Sequence, residues 1–481
     1  MKKFLEKLTN KWLLKGTTTL ILVALVIASY IGVNWLVTQI KIEDFDFTTK
    51  KLYSLSDETK DKLKSLDKEV TIQLINMSLY PYVIEYADKY EKISDKIIIE
   101  KIDNLSSRVD LQTKYGVKST AELIVVKNGD KEKILTTDNL FTYDYSAYKQ
   151  IDTTEEAITN AIIEVTIEEK PHVYVLEANT YYDAEQSLGI IANSLINEAN
   201  EVKLLDILTT GNVPENCDCL ILTTMKQDLS ELERDKILEY INNGGKILAL
   251  TSQNFMTVDT PNLNKVFEQY GISIERGIVF EQNSKQMLND SPNRILVDVV
   301  ASFMSDIDMS LKVLLQDAGS IKFAEAKQLE ELGVQYEVIC QTSDKAFVRT
   351  DFAQGTNSKT EKDSEEGANI LGAYVEKTIS EDKSSKLIIY SNELFASTQP
   401  VLLGDYIDYL VNVRNNKDVV LNSVSYLTER EDTMTIRKAV ETETYTVTDQ
   451  EDVIIKTIIF VVPVLIIVLG ISVWIYRRRK I

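Results

Sequence analysis

Histidine is almost absent from this sequence, which holds one histidine in 481 residues. A single imidazole excludes histidine-rich metal sites and most histidine-dependent catalysis. Three cysteines are too few for a disulfide framework. Glycine and proline are also scarce, at 17 and 7 residues, which excludes collagen-like and Gly/Pro-rich low-complexity chains.

Basic residues are fewer than acidic ones, 53 against 74, so the net charge is −21. A phosphate backbone requires a basic face, so the composition argues against nucleic acid as a partner. Hydrophobic residues at 44% and charged residues at 26% are ordinary for a folded chain. The length predicts roughly three domains.

Two long uncharged runs stand near the ends of the chain, at residues 17–40 and 457–476. Each is long enough, at about 1.5 Å per residue in a helix, to cross a hydrocarbon core of about 30 Å. The sequence therefore predicts a two-span membrane protein with transmembrane helices at 16–40 and 457–476. A cleaved signal peptide is the alternative for the first run, because Val26-Ile27-Ala28 is an acceptable cleavage site, but the apolar stretch continues to Val37.

Lysine and arginine flank both runs on the sides that face the chain ends. The basic residues are Lys2, Lys3, Lys7, Lys11 and Lys15 before the first run, and Arg477, Arg478, Arg479 and Lys480 after the second. The positive-inside rule then places residues 1–15 and 477–481 in the cytoplasm. It predicts a multi-pass protein of the cell membrane whose residues 41–456 are extracytoplasmic.

The large middle region reads as α/β throughout. Residues 41–169 predict a small N-terminal α/β domain, with Ser56 as the N-cap of its first helix. Residues 170–456 predict a second domain, in which short apolar strands such as His172–Leu176 and Lys246–Leu250 alternate with helices. This alternation is typical of a doubly wound parallel sheet, amidotransferase-like or flavodoxin-like in layout.

One stretch of the second domain fits this pattern less well. Residues 286–385 are mixed in character and predict an insertion. Within it, Ala353–Gly367 is polar and aperiodic, which predicts a mobile segment. Outside this stretch, Lys386–Tyr390 predicts another parallel-type strand, and Glu231–Asn242 and Leu402–Arg414 predict helices.

Several segments, taken in order, resemble the GldG-like family of auxiliary membrane subunits of ABC transporters. The matching residues are Asp46–Ser56 (DFTTKKLYSLS), Lys170–Tyr174 (KPHVY), Leu238–Leu248 (LEYINNGGKIL), Leu421–Leu427 (LNSVSYL), Ile436-Arg437, Pro463, Gly470 and Arg477–Arg479. One position departs from the family, because Glu177-Ala178-Asn179-Thr180 stands where many members carry a Gly-His-Gly-Glu turn.

The resemblance implies a non-catalytic auxiliary subunit of an ABC transporter complex. Such a subunit packs on a permease, works with a separate ATPase subunit, and presents extracytoplasmic α/β domains for substrate or partner binding. Two alternatives stay open. One is an independent membrane-anchored ligand-binding or scaffold protein, and the other is an anchored hydrolase that depends on His172 or on a carboxylate cluster.

Each candidate chemical motif is better explained by a structural role, so we predict no catalytic residue, cofactor site or metal site. Asn243-Gly244-Gly245-Lys246-Ile247 superficially resembles a P-loop, but Tyr240 and Ile247 replace the required Gly and Ser/Thr, which favours a helix C-cap. Cys217 and Cys219, which would share one face of an extended chain, favour core packing. Cys340 and His172 do not complete a zinc set. Close acidic pairs, Asp306/Asp308 and Glu365/Glu366, fit a solvated surface.

Pro463 and Gly470 are the two residues of the second uncharged run with a predicted role. They are seven residues apart and fall near one face of a helix. Proline bends a helix and glycine admits a neighbouring backbone, so the pair predicts a docking seam for a permease helix. A tolerated kink is the alternative.

Overall fold

The computed structural model describes residues 27–29, 31–32, 54–144, 149–177, 184–252, 258–304, 312–351, 355–403, 406–429 and 468. Met1–Lys438 form one compact unit and Ala439–Ile481 another. The elements below all belong to the first unit.

The predicted two-span membrane fold is corrected by the structure. Among the residues described, no helix combines the length and the apolar character that crossing a bilayer requires. The predicted segments 16–40 and 457–476 lie mostly outside the described residues, which include only 27–29, 31–32 and Val468 of them.

A four-stranded sheet with helices forms the N-terminal part of the unit. Its elements are α1 (Asp57–Ser65), β1 (Val70–Ile75), α2 (Pro81–Ile93), β2 (Ile97–Ile102), α3 (Val109–Tyr115), β3 (Leu123–Asn128), β4 (Lys131–Thr136), α4 (Thr137–Leu140), the hairpin β5 (Phe141–Asp144) and β6 (Lys149–Asp152), and α5 (Thr154–Thr166). The strand order is β2-β1-β3-β4, with β1 and β2 parallel and the other pairs antiparallel.

A buried carboxylate, Glu155 of α5, ties the start of α1 to this core. Its Oε1 accepts the N–H of Ser56 at 2.6 Å and the hydroxyl of Thr59 at 2.7 Å. Its Oε2 accepts the hydroxyl of Tyr86 at 3.0 Å. Ser56 is the N-cap of α1, as predicted, and Leu55 beside it is fully buried. The Ser-Leu-Ser part of the family-like segment therefore has a structural role here.

The rest of the unit is built around a nine-stranded sheet. Its strands and those of three smaller sheets are β7 (His172–Leu176), β8 (Glu201–Leu205), β9 (Cys219–Thr223), β10 (Lys246–Leu250), β11 (Ile272–Glu275), β12 (Ile278–Phe280), β13 (Met287–Leu288), β14 (Ser291–Val297), β15 (Val313–Gln316), β16 (Ser320–Phe323), β17 (Val334–Gln341), β18 (Phe347–Arg349), β19 (Ile370–Ser380), β20 (Lys383–Tyr390), β21 (Pro400–Leu403) and β22 (Tyr406–Tyr409). The helices are α6 (Ala184–Ser187), α7 (Gly189–Asn197), α8 (Ile207–Thr210), α9 (Glu231–Asn242), α10 (Pro261–Glu268), α11 (Ala326–Leu332) and α12 (Asn416–Leu427).

Five parallel strands in the order β8-β7-β9-β10-β20 form the centre of the large sheet. Numbered along the chain, this order is 2-1-3-4-5, which is that of flavodoxin-like doubly wound folds. Helices cover both faces, since α7 and α12 pack in one core cluster and α9 and α10 in the other. Burial on both faces explains why these strands read as continuous apolar runs.

The sheet is mixed, whereas the sequence predicts it to be parallel. Residues 286–385 contribute β16, β17 and β19 to it, and β19 pairs antiparallel with β20 along most of its length. The predicted insertion is thus an integral extension of the sheet. Leu402–Arg414 is not a helix: it contains the end of β21, the hairpin partner β22 and a short 3-10 turn, and the helix α12 begins later at Asn416.

Arg349 at the end of β18 holds the described part of the segment predicted to be mobile, residues 355–367. Its guanidinium makes a two-pronged contact with Asp363, at 3.0 and 2.8 Å, and donates to the carbonyls of Thr356 and Ser358. The Arg349 side chain is 3% exposed and lies over the ring of Phe280 at 4.4 Å. These partners satisfy the buried guanidinium, and Asp363 is the polar side chain of the segment that balances its charge.

Removing the Arg349 side chain would leave the buried carboxylate of Asp363 without its ion-pair partner. We expect Arg349→Ala to lower the free energy of unfolding by about 3–5 kcal/mol, since breaking one half of a buried ion pair leaves the other charge uncompensated. Urea unfolding of the full chain, followed by intrinsic fluorescence, measures the change. The matched control is Lys362→Ala, which breaks the exposed pair of Lys362 with Asp351 and should leave the unfolding midpoint in place. Equal effects of the two substitutions would contradict the assignment.

Candidate functional site

The strand order marks one edge of the large sheet as the place where a site is expected. In doubly wound sheets ligands bind beyond the carboxyl ends of the strands, near the point where the strand order reverses. Here that point lies between β7 and β9. The residues that follow the ends of β9, β10 and β20 at this edge are polar and buried: Thr224, Thr251, Ser252, Ser391, Asn392 and Glu393.

Glu393 bridges this carboxyl edge. It follows β20, is 2% exposed, and its Oε2 accepts the backbone N–H of Thr224, which follows β9, at 2.9 Å. The hydroxyl oxygen of Thr224 in turn accepts the N–H of Ser252, which follows β10, at 3.4 Å. Because β10 lies between β9 and β20 in the sheet, these two bonds link three consecutive strand ends.

Burial raises the pKa of Glu393 to about 7, against the opposing effect of the bonds from Thr224. A carboxyl group with this pKa exchanges a proton near neutral pH, which is characteristic of functional sites. The side chains of the two preceding residues, Asn392 and Ser391, are already used in hydrogen bonds to backbone carbonyls. Asn392 donates to the carbonyl of Gln316, and Ser391 donates to that of Gly319 at 2.7 Å.

One hydroxyl at the same edge has no partner. The Oγ1 atom of Thr223, the last residue of β9, is buried and makes no hydrogen bond within the described part of the chain. Buried polar atoms are almost always bonded, so an unbonded one is unusual. The Thr223 hydroxyl is therefore a further polar group at the end of β9, next to Thr224, whose N–H is bonded to Glu393.

The opposite, amino edge of the sheet is where the chain enters and leaves. β7 starts at His172, shortly after α5 of the N-terminal part ends at Thr166. After α12, Glu429 pairs with Lys246 and Lys386 near the starts of β10 and β20, each at 3.1 Å. Both connections of the large sheet to the rest of the chain therefore lie away from the carboxyl edge.

His172 also lies at the amino edge. Its Nε2 is 3.1 Å from Glu201 and its Nδ1 is 3.7 Å from Asp218. The structure thus places the single histidine at the edge opposite to that where sheets of this order bind ligands.

The cysteines are free, buried thiols. Cys219 lies in the core cluster on one face of the sheet and Cys217 in that on the other, so the expectation of a shared face is wrong. The reason is that β9 begins only at Cys219, and Cys217 lies before the strand in a turn, 3.5 Å from the hydroxyl of Tyr240. Burial raises the pKa of Cys217 and Cys340 to about 12.

The P-loop-like stretch is a helix C-cap, as predicted. α9 ends at Asn242, Gly244 has a φ of +84°, and the N–H of Gly245 donates to the carbonyl of Tyr240 at 2.9 Å. The ring of Tyr240 would lie 2.4 Å from a Cβ at Gly245, so glycine is required for packing. No phosphate-binding role is needed to explain these residues.

The remaining residues singled out in the sequence are either outside the described residues or exposed at the surface. Pro463, Gly470, Asp306, Asp308 and residues 178–180 lie outside the described residues. Glu365 and Glu366 are exposed, and Glu365 is 3.9 Å from Lys359. Among the described residues no cluster of three or more histidine, cysteine, aspartate or glutamate side chains is suited to hold a metal ion.

Sequence reasoning missed Glu393, although a signal was present. The strand that ends at Tyr390 is predicted correctly, and Ser391-Asn392-Glu393 directly follow it. Polar residues immediately after a buried parallel strand mark the carboxyl edge. What the sequence does not reveal is that Thr224, 169 residues away, is the partner.

The raised pKa of Glu393 predicts how stability varies with pH. Because the pKa of about 7 in the folded state exceeds the usual glutamate value of 4.5, the folded state binds the proton more tightly. The stabilisation is complete below pH 4.5 and is lost as the pH rises through about 7, by about 3 kcal/mol in total. Glu393→Gln, which keeps an oxygen acceptor for Thr224, should remove this dependence.

Thermal unfolding from pH 4.5 to 8 measures the difference between wild type and Glu393→Gln. Glu365→Gln is the matched control, since that side chain is fully exposed. Parallel pH profiles of wild type and the Glu393→Gln variant would show that Glu393 titrates as an ordinary carboxyl group.

Comparison with solved structures finds distant likenesses. The N-terminal domain of mmIFT52 matches over 53% of this chain and 96% of its own, with 13% identity and a TM-score of 0.39. A ThuA-like protein from Bacteroides uniformis matches over 55% and 94%, with 10% identity and a TM-score of 0.32. Another ThuA-like protein, from Parabacteroides merdae, matches over 56% and 94%, with 10% identity and a TM-score of 0.33. All three similarities are distant.

No curated protein matches closely enough to count as a relative. A family model does match: the one described as ABC-type uncharacterized transport system covers residues 170–423, just over half of the chain. The narrower GldG-like resemblance is not tested by this match and stays a prediction. The matched range begins just before β7 and ends within α12, so it contains the whole nine-stranded sheet with its carboxyl edge. The chain belongs to the auxiliary family of ABC-type uncharacterized transport systems.

Proposed function

We propose that this protein is a non-catalytic auxiliary subunit that binds the permease of an ABC-type transport system and offers the carboxyl edge of its large sheet to a substrate or partner. The observation that carries the proposal is the family match across the entire nine-stranded sheet. The family match supports the link to transport, and the strand order supports the carboxyl edge as the place of binding.

The arrangement of chain connections supports binding at the carboxyl edge. The chain enters the sheet at His172 and leaves it at Glu429, both at the amino edge. The carboxyl edge carries the polar groups of Thr224 and Glu393 and is not used for these connections. Substrate or partner binding there would leave the connections to the other parts of the chain undisturbed.

The cysteines and histidine support a role without catalysis. A catalytic cysteine needs a thiolate, whereas burial raises the pKa of Cys217 and Cys340 to about 12. His172 lies at the amino edge with carboxylates for neighbours. No described group at the carboxyl edge joins a nucleophile to an imidazole base, which acyl transfer by the usual arrangement requires.

The partners that follow from this proposal are a permease subunit, which the protein binds directly, together with a separate ATPase subunit. The Gly-Gly-Lys stretch, which is a helix C-cap, gives this chain no phosphate loop of its own. Energy for transport would therefore come from the ATPase subunit. The extracytoplasmic location of residues 41–456 stays a prediction from the basic flanks of the sequence.

Co-purification tests the proposal directly. The tagged full-length protein, isolated in mild detergent from cells that express its neighbouring genes, should bring down a Walker-A ATPase and a multi-span permease. Mass spectrometry identifies them, and a bait of the same tag fused to an unrelated protein gives the background. Absence of both components above that background would overturn the proposal.

The edge is tested by charge reversal at the two ends of β9. Lys226, exposed in the segment after β9, marks the carboxyl edge, and Glu215, exposed before β9, marks the amino edge. We expect Lys226→Glu to reduce the co-purified permease or substrate several-fold, because a new charge at a binding edge is desolvated against the partner. Glu215→Lys is the matched control and should leave the yield unchanged. The reverse outcome would place binding at the amino edge.

A further inference from the structure

The strand β8 ends the large sheet on one side and has a single neighbour among the described strands, β7. The N–H of Glu201 donates to the carbonyl of Pro171 at 2.8 Å, and the carbonyl of Leu205 accepts the N–H of Glu177 at 3.0 Å. In a parallel ladder alternate residues face the same neighbour, so Glu201, Lys203 and Leu205 bond toward β7. Val202 and Leu204 therefore direct their N–H and C=O groups outward.

We propose that a second copy of this chain pairs with that outward edge, strand β8 against strand β8, antiparallel and with Val202 on a two-fold axis. A two-fold contact uses the same surface on both copies, so it requires a strand that complements itself. The pattern of charge along β8 meets this requirement in one register.

Glu201 and Lys203 lie two residues apart on one face of β8, and their side chains are in contact at 2.5 Å. With Val202 on the axis, Glu201 of each copy stands directly opposite Lys203 of the other, which is a favourable cross-strand pair. Moving the axis to Lys203 would set two lysines against each other. Moving it to Leu204 would set Lys203 against Leu205 and leave the charges without opposite partners.

The main chain agrees with the charges. Val202 is one of the two residues whose N–H and C=O groups face outward, so two copies of Val202 on the axis would exchange both hydrogen bonds. Charged side chains on an edge strand normally repel unrelated strands. On β8 the same charges disfavour pairing with most other strands. They favour pairing with a second β8, because in the antiparallel arrangement Glu201 of each copy lies opposite Lys203 of the other.

Exposed apolar side chains flank the strand. Leu204 of β8 is 41% exposed, Ile196 near the end of α7 is 42% exposed, and Leu208 at the start of α8 is 53% exposed. The two helices directly precede and follow β8 in the chain. Apolar area beside a polar strand edge would add to the free energy of pairing.

Charge swaps test the register. The full-length chain, purified in mild detergent without transporter subunits, is followed by sedimentation velocity over a concentration series. The wild type should dimerise, and Glu201→Lys or Lys203→Glu alone should weaken the dimer on the order of tenfold, because each creates like-charge pairs. The double variant Glu201→Lys with Lys203→Glu should restore the wild-type dissociation constant. Because no transporter component is present, this result is independent of the proposed function.

A disulfide test does not depend on the charges. Val202→Cys would place two thiols opposite each other across the axis, within the range that a disulfide spans. Mild oxidation should then give a covalent dimer on non-reducing gels. Lys226→Cys, which is more exposed than the half-buried Val202 but lies at the carboxyl edge, should not. The native cysteines are buried and do not compete. A wild type that stays monomeric throughout, or a Val202→Cys variant that cross-links no better than the control, would overturn the proposal.

Discussion

A parallel sheet covered by helices on both faces has no room for polar groups in its interior, and this constraint governs the rest of the structure. The strands β7, β9 and β10 are largely apolar between their ends and lie between two core clusters. Polar side chains are therefore displaced to the strand ends. At the carboxyl edge they are bonded to each other through Glu393 and Thr224. At the amino edge they form ion pairs, such as those of Glu429.

Much of this architecture could be predicted from local sequence. β7, β10 and α9 have the bounds that their sequence patterns indicate. Ser56 caps the start of α1, and Gly244 follows the end of α9, both as expected. These elements are specified by residues that are near each other in the chain. The correct predictions therefore rest on short-range physics: capping bonds, helix termination and burial of continuous apolar runs.

The features that the sequence does not reveal depend on distant partners. The polar stretch 355–367 contains Asp363, whose ion pair with Arg349 cannot be read from its composition. The stretch at 402–414 has apolar residues at helical spacing, but Val401 and Leu410 pack together in a small core of their own and the chain between them forms a hairpin. The candidate site is a similar case. Glu393 follows a recognisable strand, but its burial and its bond to Thr224 result from the tertiary fold.

The ion pairs of Glu429 have a consequence for the end of α12. Lys246 and Lys386 belong to adjacent central strands, β10 and β20, which are parallel and bonded along five residue pairs. Because both lysines contact the same carboxylate, Glu429, which follows α12 in the chain, lies at the amino edge of the sheet. The last described turn of the chain is therefore on the side of the sheet opposite to Thr224 and Glu393.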